Sequence, residues 1–168
     1  MRILGIDPGY AIVGFGVTDF DGYKFKTISF GAITTDAGTP FNLRLKAIFD
    51  DMNRIIKLYE PDSIAVEKLF FNTNQKTGID VAEARGVIIL SAVNLGVPVY
   101  EYTPLQVKQS VVGYGRAEKN QVMQMTKSIL GLREVPKPDD AADALAIAIC
   151  HGHSAPRTEA RGQNTELG

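Results

Sequence analysis

Short apolar blocks separated by turn dipeptides fill the first 34 positions, and apolar stripes at helical spacing dominate the rest. Residues 2–7 carry Ile3, Leu4, Gly5 and Ile6 and stop at Pro8-Gly9, which predicts a first strand. Residues 12–20 predict a second. Asp21-Gly22 is a hairpin dipeptide, and residues 23–34, with Tyr23, Phe25 and Thr27 in alternation, predict a third. Pro40 suits the first turn of a helix. Phe41, Leu45, Ile48, Met52, Ile55 and Tyr59 then recur every three or four residues, with Arg44, Lys46, Asp50, Asp51, Arg54 and Lys57 free for the wet side. Pro61-Asp62 ends that helix. Residues 63–69 predict a short buried strand, apolar on both faces.

Residues 70–78 read as a polar loop, followed by a helix near 79–95, a strand over 99–103 and a short helix from Pro104 to about Gly113. A further helix spans 118–130, with Gly131 as its cap. The last helix runs from about Asp139 to Cys150. Residues 154–168 are polar and aperiodic and read as a disordered tail behind one domain of residues 1–153. The order predicts an α/β fold. A three-strand antiparallel meander leads into strand–helix alternation, giving a mixed five-stranded sheet with helices on both faces.

The chain has 168 residues and 45% hydrophobic content, enough for one domain with a real core. No apolar stretch is long enough to span a bilayer and no leader pattern opens the chain, so a cytoplasmic protein without membrane contact is expected. The single Cys150 allows no internal disulfide. A net charge of −1 says nothing of nucleic acid, but residues 103–137 hold Lys108, Arg116, Lys119, Lys127, Arg133 and Lys137 against Glu118 and Glu134. Such a local basic stripe suits phosphates, although a solvated surface looks the same.

Four acids stand at the edges of apolar segments, where an uncompensated carboxylate is costly. Asp7 closes the first strand, Glu67 lies at the end of Ile64-Ala65-Val66, and Asp140 and Asp143 open the last helix. Each has an ordinary explanation: a turn, a strand end, a helix first turn. Asp140 and Asp143 lie about 60° apart around a helix, so they share a face and repel. Together the four form an all-oxygen donor set suited to magnesium. Two ions roughly 3.5–4 Å apart would grip one phosphate. Gly5, Gly9, Gly14 and Gly16 crowd the first hairpin, and glycine in a strand often marks close approach of a ligand or backbone. A bound phosphate backbone is the expectation there. Asp139 and Asp143 also share a face, so geometry leaves Asp139 open as a ligand. His151 and His153 are assigned to the frayed end of the last helix.

The motifs Gly5-Ile6-Asp7-Pro8-Gly9, Val66-Glu67, Ala84-Arg85-Gly86, Gln106-Val107-Lys108-Gln109, residues 113–119 and residues 140–148 together resemble the RuvC family of bacterial Holliday-junction resolvases. The likeness runs in order over about residues 1–153. It implies an RNase H-like fold and a homodimer joined largely through the helix near 79–95. It implies magnesium-dependent, symmetric nicking of two opposed strands of a four-way DNA junction, leaving 5′-phosphate and 3′-hydroxyl ends, in recombination and repair. Two Mg2+ per site are expected, with Mn2+ able to substitute, and RuvA and RuvB are the implied partners. The catalytic and metal roles fall on Asp7, Glu67, Asp140 and Asp143, with Asp140 favoured over Asp139 by the resemblance alone. The DNA-binding roles fall on Phe70, Lys108, Arg116 and Lys119. Phe70 is the implied wedge at the crossover, where base stacking contributes ~1–3 kcal/mol, and Phe71 beside it is the alternative. Lys68 stands where family members often carry an uncharged amide.

Three other readings compete. An ATPase of the actin–sugar-kinase type also opens with a glycine-rich strand and an acid, but needs two such domains. A related RNase H-like nuclease would act on structured RNA. A non-catalytic junction-binding protein would not need the intact acid set.

Overall fold

The computed structural model describes residues 1–68 and 75–155. Phe70, Phe71 and most of the tail therefore lie outside the described residues. The elements are β1 (Arg2–Asp7), β2 (Ile12–Phe20), β3 (Phe25–Thr34), α1 (Phe41–Tyr59), β4 (Ser63–Glu67), α2 (Gln75–Asn94), β5 (Val99–Tyr102), α3 (Pro104–Val112), α4 (Lys119–Ile129) and α5 (Asp139–Ser154). They build one five-stranded sheet in the order β3-β2-β1-β4-β5. The meander β1–β3 is antiparallel, while β4 and β5 join it in parallel. This is the mixed sheet that the element order predicts.

Strand parity divides the core in two. Side chains alternate across a sheet. Leu4, Ile6, Ile64 and Val66 pack against Ile48, Met52 and Ile56 of α1 and Ala84 and Ile88 of α2. Ile3 and Ala65 point the other way, into a second core with Val107 and Val111 of α3, Val122 of α4, and Leu145 and Ile149 of α5. Helices cover both faces because β1 and β4 have apolar residues at both parities.

Several boundaries move, each for a local reason. β3 begins at Phe25 rather than at Tyr23. The Asp21 side chain accepts the backbone N–H groups of Tyr23 and Lys24 at 2.8 and 2.7 Å, which commits them to the turn. β5 stops at Tyr102 because Thr103 caps α3, its hydroxyl accepting from Gln106 N–H while the Gln106 side chain accepts from Thr103 N–H. β4 ends at Glu67, short of the expected 69. α2 starts at Gln75, so the polar stretch and Gly78 are helical in part; propensity is a weak prior that tertiary packing overrides. In α1 the stripe is rotated. Arg44, expected on the wet side, is buried, donating to the Thr35 hydroxyl at 2.9 Å and lying 5.0 Å from the centre of the Tyr10 ring.

The largest departure is at the end of α5, which continues to Ser154. His151 is not frayed but fully buried. Its Nε2 lies 2.9 Å from the Ser63 hydroxyl and its Nδ1 2.7 Å from the Tyr102 hydroxyl, so one ring joins α5 to β4 and β5. Gly152 packs against the Phe25 ring, and His153 lies with its ring centre 5.4 Å from that of Phe25. Ser63 begins β4 and Glu67 ends it. At about 3.3 Å per residue this sets His151 roughly 13 Å of strand away from Glu67. His151→Ala is expected to cost about 3 kcal/mol, through a lost ring and the loss of its hydrogen bonds to the Ser63 and Tyr102 hydroxyls. Urea denaturation tests this, and a loss under about 1 kcal/mol would mean that the bridge is not a main tie.

Candidate active site

Parity directs the strand acids. Asp7 shares the parity of Ile3 and Gly5, and Glu67 that of Ala65, so both carboxylates leave the sheet on the α5 face. Ile6 pairs with Val66, which brings the ends of β1 and β4 side by side. These are adjacent parallel strands, and their carboxyl ends are where such sheets place ligands.

α5 lies directly on the backbone of β1 and β2. A Cβ built on Gly14 would stand 2.0 Å from the carbonyl oxygen of Asp140, and one on Gly5 would stand 2.0 Å from that of Ala144. One on Gly16 would meet the Leu145 side chain at 2.6 Å. Gly14 is also the register partner of Asp7. The glycines at 5, 14 and 16 thus form a trough that seats α5 with its first turn beside Asp7. This corrects the expectation that Gly14 and Gly16 leave room for a phosphate backbone. The close approach is real, but a helix makes it. Gly9 packs on the carbonyl of Ile12 within its own turn.

The acids converge electrostatically. Asp7 is pushed up to about 8, first by burial and then by the negative charges of Asp143, Glu67 and Asp140. Glu67 is raised by burial and by Asp143, partly offset by Lys108 and Lys119. Asp143 is raised by burial and opposed by Lys119, whose Nζ lies 3.5 Å from Oδ2 of Asp143. Lys119 is held above its usual value chiefly by that same carboxylate. Glu67, Lys108, Lys119 and Asp143 line one cleft of about 250 Å³, together with Val107 and Ile147. Arg116 is exposed in the segment between α3 and α4 and does not line that cleft.

Asp139 stands at the exposed edge of this group, its charge helping to raise Asp143 and Lys119. It is exposed, and Lys137 at 3.0 Å lowers its carboxyl. It is not among the charges that raise Asp7, whereas Asp140 is. Among the described residues, no three acid, His or Cys side chains close to metal-ligand distances as they stand. What fits a cation is the chemistry of the donor set. The donors are oxygens, half-buried and mutually repelling, with too little positive charge nearby to neutralise them. A hard divalent ion answers that imbalance.

The sequence compares directly with known proteins. The family model described as "Crossover junction endodeoxyribonuclease RuvC" matches residues 3–151. The chain belongs to the RuvC family. A RuvC protein from Caldanaerobacter subterraneus subsp. tengcongensis is 61% identical over 154 residues, covering 92% of this chain and 93% of that one. The solved RuvC structure from Thermus thermophilus superposes with a TM-score of 0.87 at 36% identity, covering 95% of this chain and 98% of that one. The T. thermophilus RuvC in complex with Holliday junction substrate matches with a TM-score of 0.83 at 34% identity, over 91% and 94% of the two chains. The RuvC relationship gives the chain the RNase H-like fold and the class of a nuclease. It sets aside the ATPase reading. No helix among the described residues is long and apolar enough to cross a membrane.

Sequence inspection misses two features of this site. One is the seat of α5 on glycine backbone, whose only sequence signal is the spacing Gly5, Gly14, Gly16. The other is the contact of half-buried Arg85, a residue of the Ala84-Arg85-Gly86 motif whose role the sequence does not disclose, and whose Nε–H reaches the Glu67 carbonyl.

Proposed function

We propose that this chain resolves four-way DNA junctions by hydrolysing one phosphodiester in each of two opposed strands, with divalent cations held by Asp7, Glu67, Asp140 and Asp143. The observation that carries this reading is the convergence of four half-buried acids at the ends of β1 and β4 and the first turn of α5, beside a cleft lined by two lysines. The metal-dependent nucleases of this family supply the precedent, and Mg2+ as a pair is the choice that an all-oxygen set favours, with Mn2+ as substitute. Bound there, the ions supply Lewis acidity and charge neutralisation at the scissile phosphate.

The chain's own groups do the rest. Asp7 and Glu67 hold the sheet side of the site, and Asp140 and Asp143 hold the helix side. Lys119, close to Asp143, and Lys108, which lines the same cleft, bind the strand and offset charge that develops on the phosphate. Arg116 extends the basic surface along the segment between α3 and α4. Phe70, three residues past Glu67, is the aromatic assigned to stack at the crossover. Hydrolysis of this kind leaves 5′-phosphate and 3′-hydroxyl ends.

Paired cuts call for a pair of sites, and a two-fold dimer matches a two-fold junction. α2 supplies a candidate seam. Ile79, Leu90 and Val93 are 64%, 52% and 62% exposed on that helix, with Gly86 between them. Leu90→Glu is expected to turn the dimer into monomer, measured by sedimentation, and to replace paired cuts by single nicks. A dimer that survives the change moves the seam elsewhere. RuvA and RuvB, as branch-migration proteins, are the partners that such an enzyme serves, in the cytoplasm.

The deciding experiment compares synthetic four-way junctions with linear duplex and structured RNA, with and without Mg2+. Symmetric nicks on the junction alone are the expected result. Equal cutting of RNA would favour the RNA nuclease, and junction binding without any nicking would favour the non-catalytic binder.

A further inference from the structure

Arg85 takes no part in the chemistry above, yet it is built into the same strand end. It lies on α2, on the sheet face opposite the carboxylates, with only 16% of its side chain exposed. Its Nε–H donates to the Glu67 carbonyl over 3.3 Å. Its Nη2 stands 2.8 Å from Oε1 of Glu101. That approach is off-line for a hydrogen bond, so it acts as an ion pair. Glu101 is the register partner of Val66, whose side chain belongs to the α1–α2 core, so Glu101 turns to the same face as Arg85.

The guanidinium therefore ties three pieces together: α2, the end of β4 and β5. The tie falls where β4 needs it. Strand pairing closes there with Lys68 N–H on Tyr102 O at 2.7 Å, and β4 ends at Glu67. The Glu67 carbonyl and side chain hang from the same Cα, one directed to Arg85 and the other to the acidic site. The Glu67 carbonyl and the Lys68 N–H share one peptide plane, so without Arg85 that plane is pinned only at its N–H, and rocking about that one bond would tilt the Glu67 Cα and shift its carboxylate. Misplacement of about 1 Å at a reacting centre can cost about 10²-fold. Arginine suits the task because its planar fork serves two acceptors at once, which lysine cannot do.

We propose that Arg85 is a positioning residue for Glu67, locking the end of β4 through the Glu67 carbonyl while Glu101 holds its guanidinium in place. This rests on the reading of Glu67 as a metal-holding carboxylate.

The test uses the full chain with Mn2+ as probe. Electron paramagnetic resonance measures Mn2+ bound to the free protein, so one readout does not depend on cleavage. In Arg85→Met the half-saturating Mn2+ concentration should rise about tenfold or more, as for other partners that orient a metal ligand. Cleavage at saturating junction should fall by about 10–100-fold and partly recover at high Mn2+. Junction affinity, measured in Ca2+, should stay within about twofold, because Arg85 lies on the face away from the cleft. Glu101→Gln should shift Mn2+ binding the same way by less, and Arg85→Lys should fall between Arg85→Met and the parent. A folded Arg85→Met with parental Mn2+ binding and cleavage overturns the proposal. So does junction affinity that falls in step with cleavage. Should Arg85→Met not fold, Glu101→Gln decides, and unchanged Mn2+ binding in that variant overturns it. Glu67→Gln separates the two layers. If it binds Mn2+ and cuts like the parent, the metal reading itself fails. If it loses both while the Arg85 and Glu101 variants are normal, only the positioning role falls.

Discussion

Asp7→Asn is expected to lower strand cleavage by ~10³-fold or more while junction binding stays within about twofold, because the carboxylate neutralises metal charge rather than touching DNA. Single-turnover cleavage in Mg2+ and binding in Ca2+ measure the two effects. Near-parental nicking would remove Asp7 from the metal site. The same variant has a second signature without metal. Asp7 ordinarily ionises near 3.8 but is held at about 8 in the fold. Between those values the folded state keeps a proton that the unfolded chain has lost, so metal-free stability falls as pH rises from about 4 through 8. Asparagine removes that penalty. Metal-free Asp7→Asn should therefore unfold at a higher temperature than the parent at pH 9, with the difference shrinking towards pH 5. Metal reverses the order, since a cation needs the ionised carboxylate and its binding releases protons. Cation affinity in the parent should accordingly rise with pH up to about 8 and then level off.

Gly14→Ala should be among the most damaging single methyls at the described glycines. The new Cβ would stand 2.0 Å from the Asp140 carbonyl oxygen and 2.4 Å from its carbonyl carbon. Both obstacles are backbone, so no side chain can rotate aside. Either β2 bends or the first turn of α5 lifts, and the latter carries Asp140 and Asp143 away from Asp7. A stability loss of about 3 kcal/mol or more is expected, at the upper end of overpacking effects. Cleavage should fall well beyond what the unfolded fraction explains. Gly131→Ala is the control. It sits at φ +62° with nothing within 4 Å of the added methyl, so only the left-handed backbone resists, at about 1–2 kcal/mol. Equal effects from the two substitutions, by urea denaturation and by rate, would show that the glycine trough is not what seats the helix.

The comparison of these two glycines shows where a sequence stops being readable. The spacing of Gly5, Gly14 and Gly16 announces that something approaches the strands closely. It does not say what, because a helix backbone and a phosphate backbone exclude a Cβ equally well. His151 illustrates the same limit. Next to Gly152 and a polar tail it looks like a fraying end, and only the positions of Ser63 and Tyr102 make it a buried bridge. Asp139 and Asp140 are neighbours of the same type on one helix. Lys137 draws Asp139 outward while the seat on Gly14 brings the backbone of Asp140 to the site. Arg85 is one half-buried arginine among many charged side chains until the end of β4 is seen above it.

Other parts were open to inspection from the start. The turn dipeptides Pro8-Gly9 and Asp21-Gly22 delimit β1 and β2 correctly, and the apolar stripe from Phe41 to Tyr59 spans α1, although Pro40 caps the helix rather than opening its first turn. The acids at apolar segment ends point to an uncompensated cluster, and six motifs in order point to the RuvC family, which the family match bears out. Those features are local, carried by periodicity, turn chemistry and residue type along a few consecutive positions. By itself the sequence determined the element order, the mixed sheet, the family and the four acids worth watching. The tertiary structure alone decided that helix backbone fills the glycine trough, which of two adjacent aspartates adds its charge to Asp7, and how Arg85 and His151 tie β4 at its two ends. Each of these depends on contacts between segments from 16 to 139 residues apart in the chain, where register and helix seating set distances that local patterns do not encode.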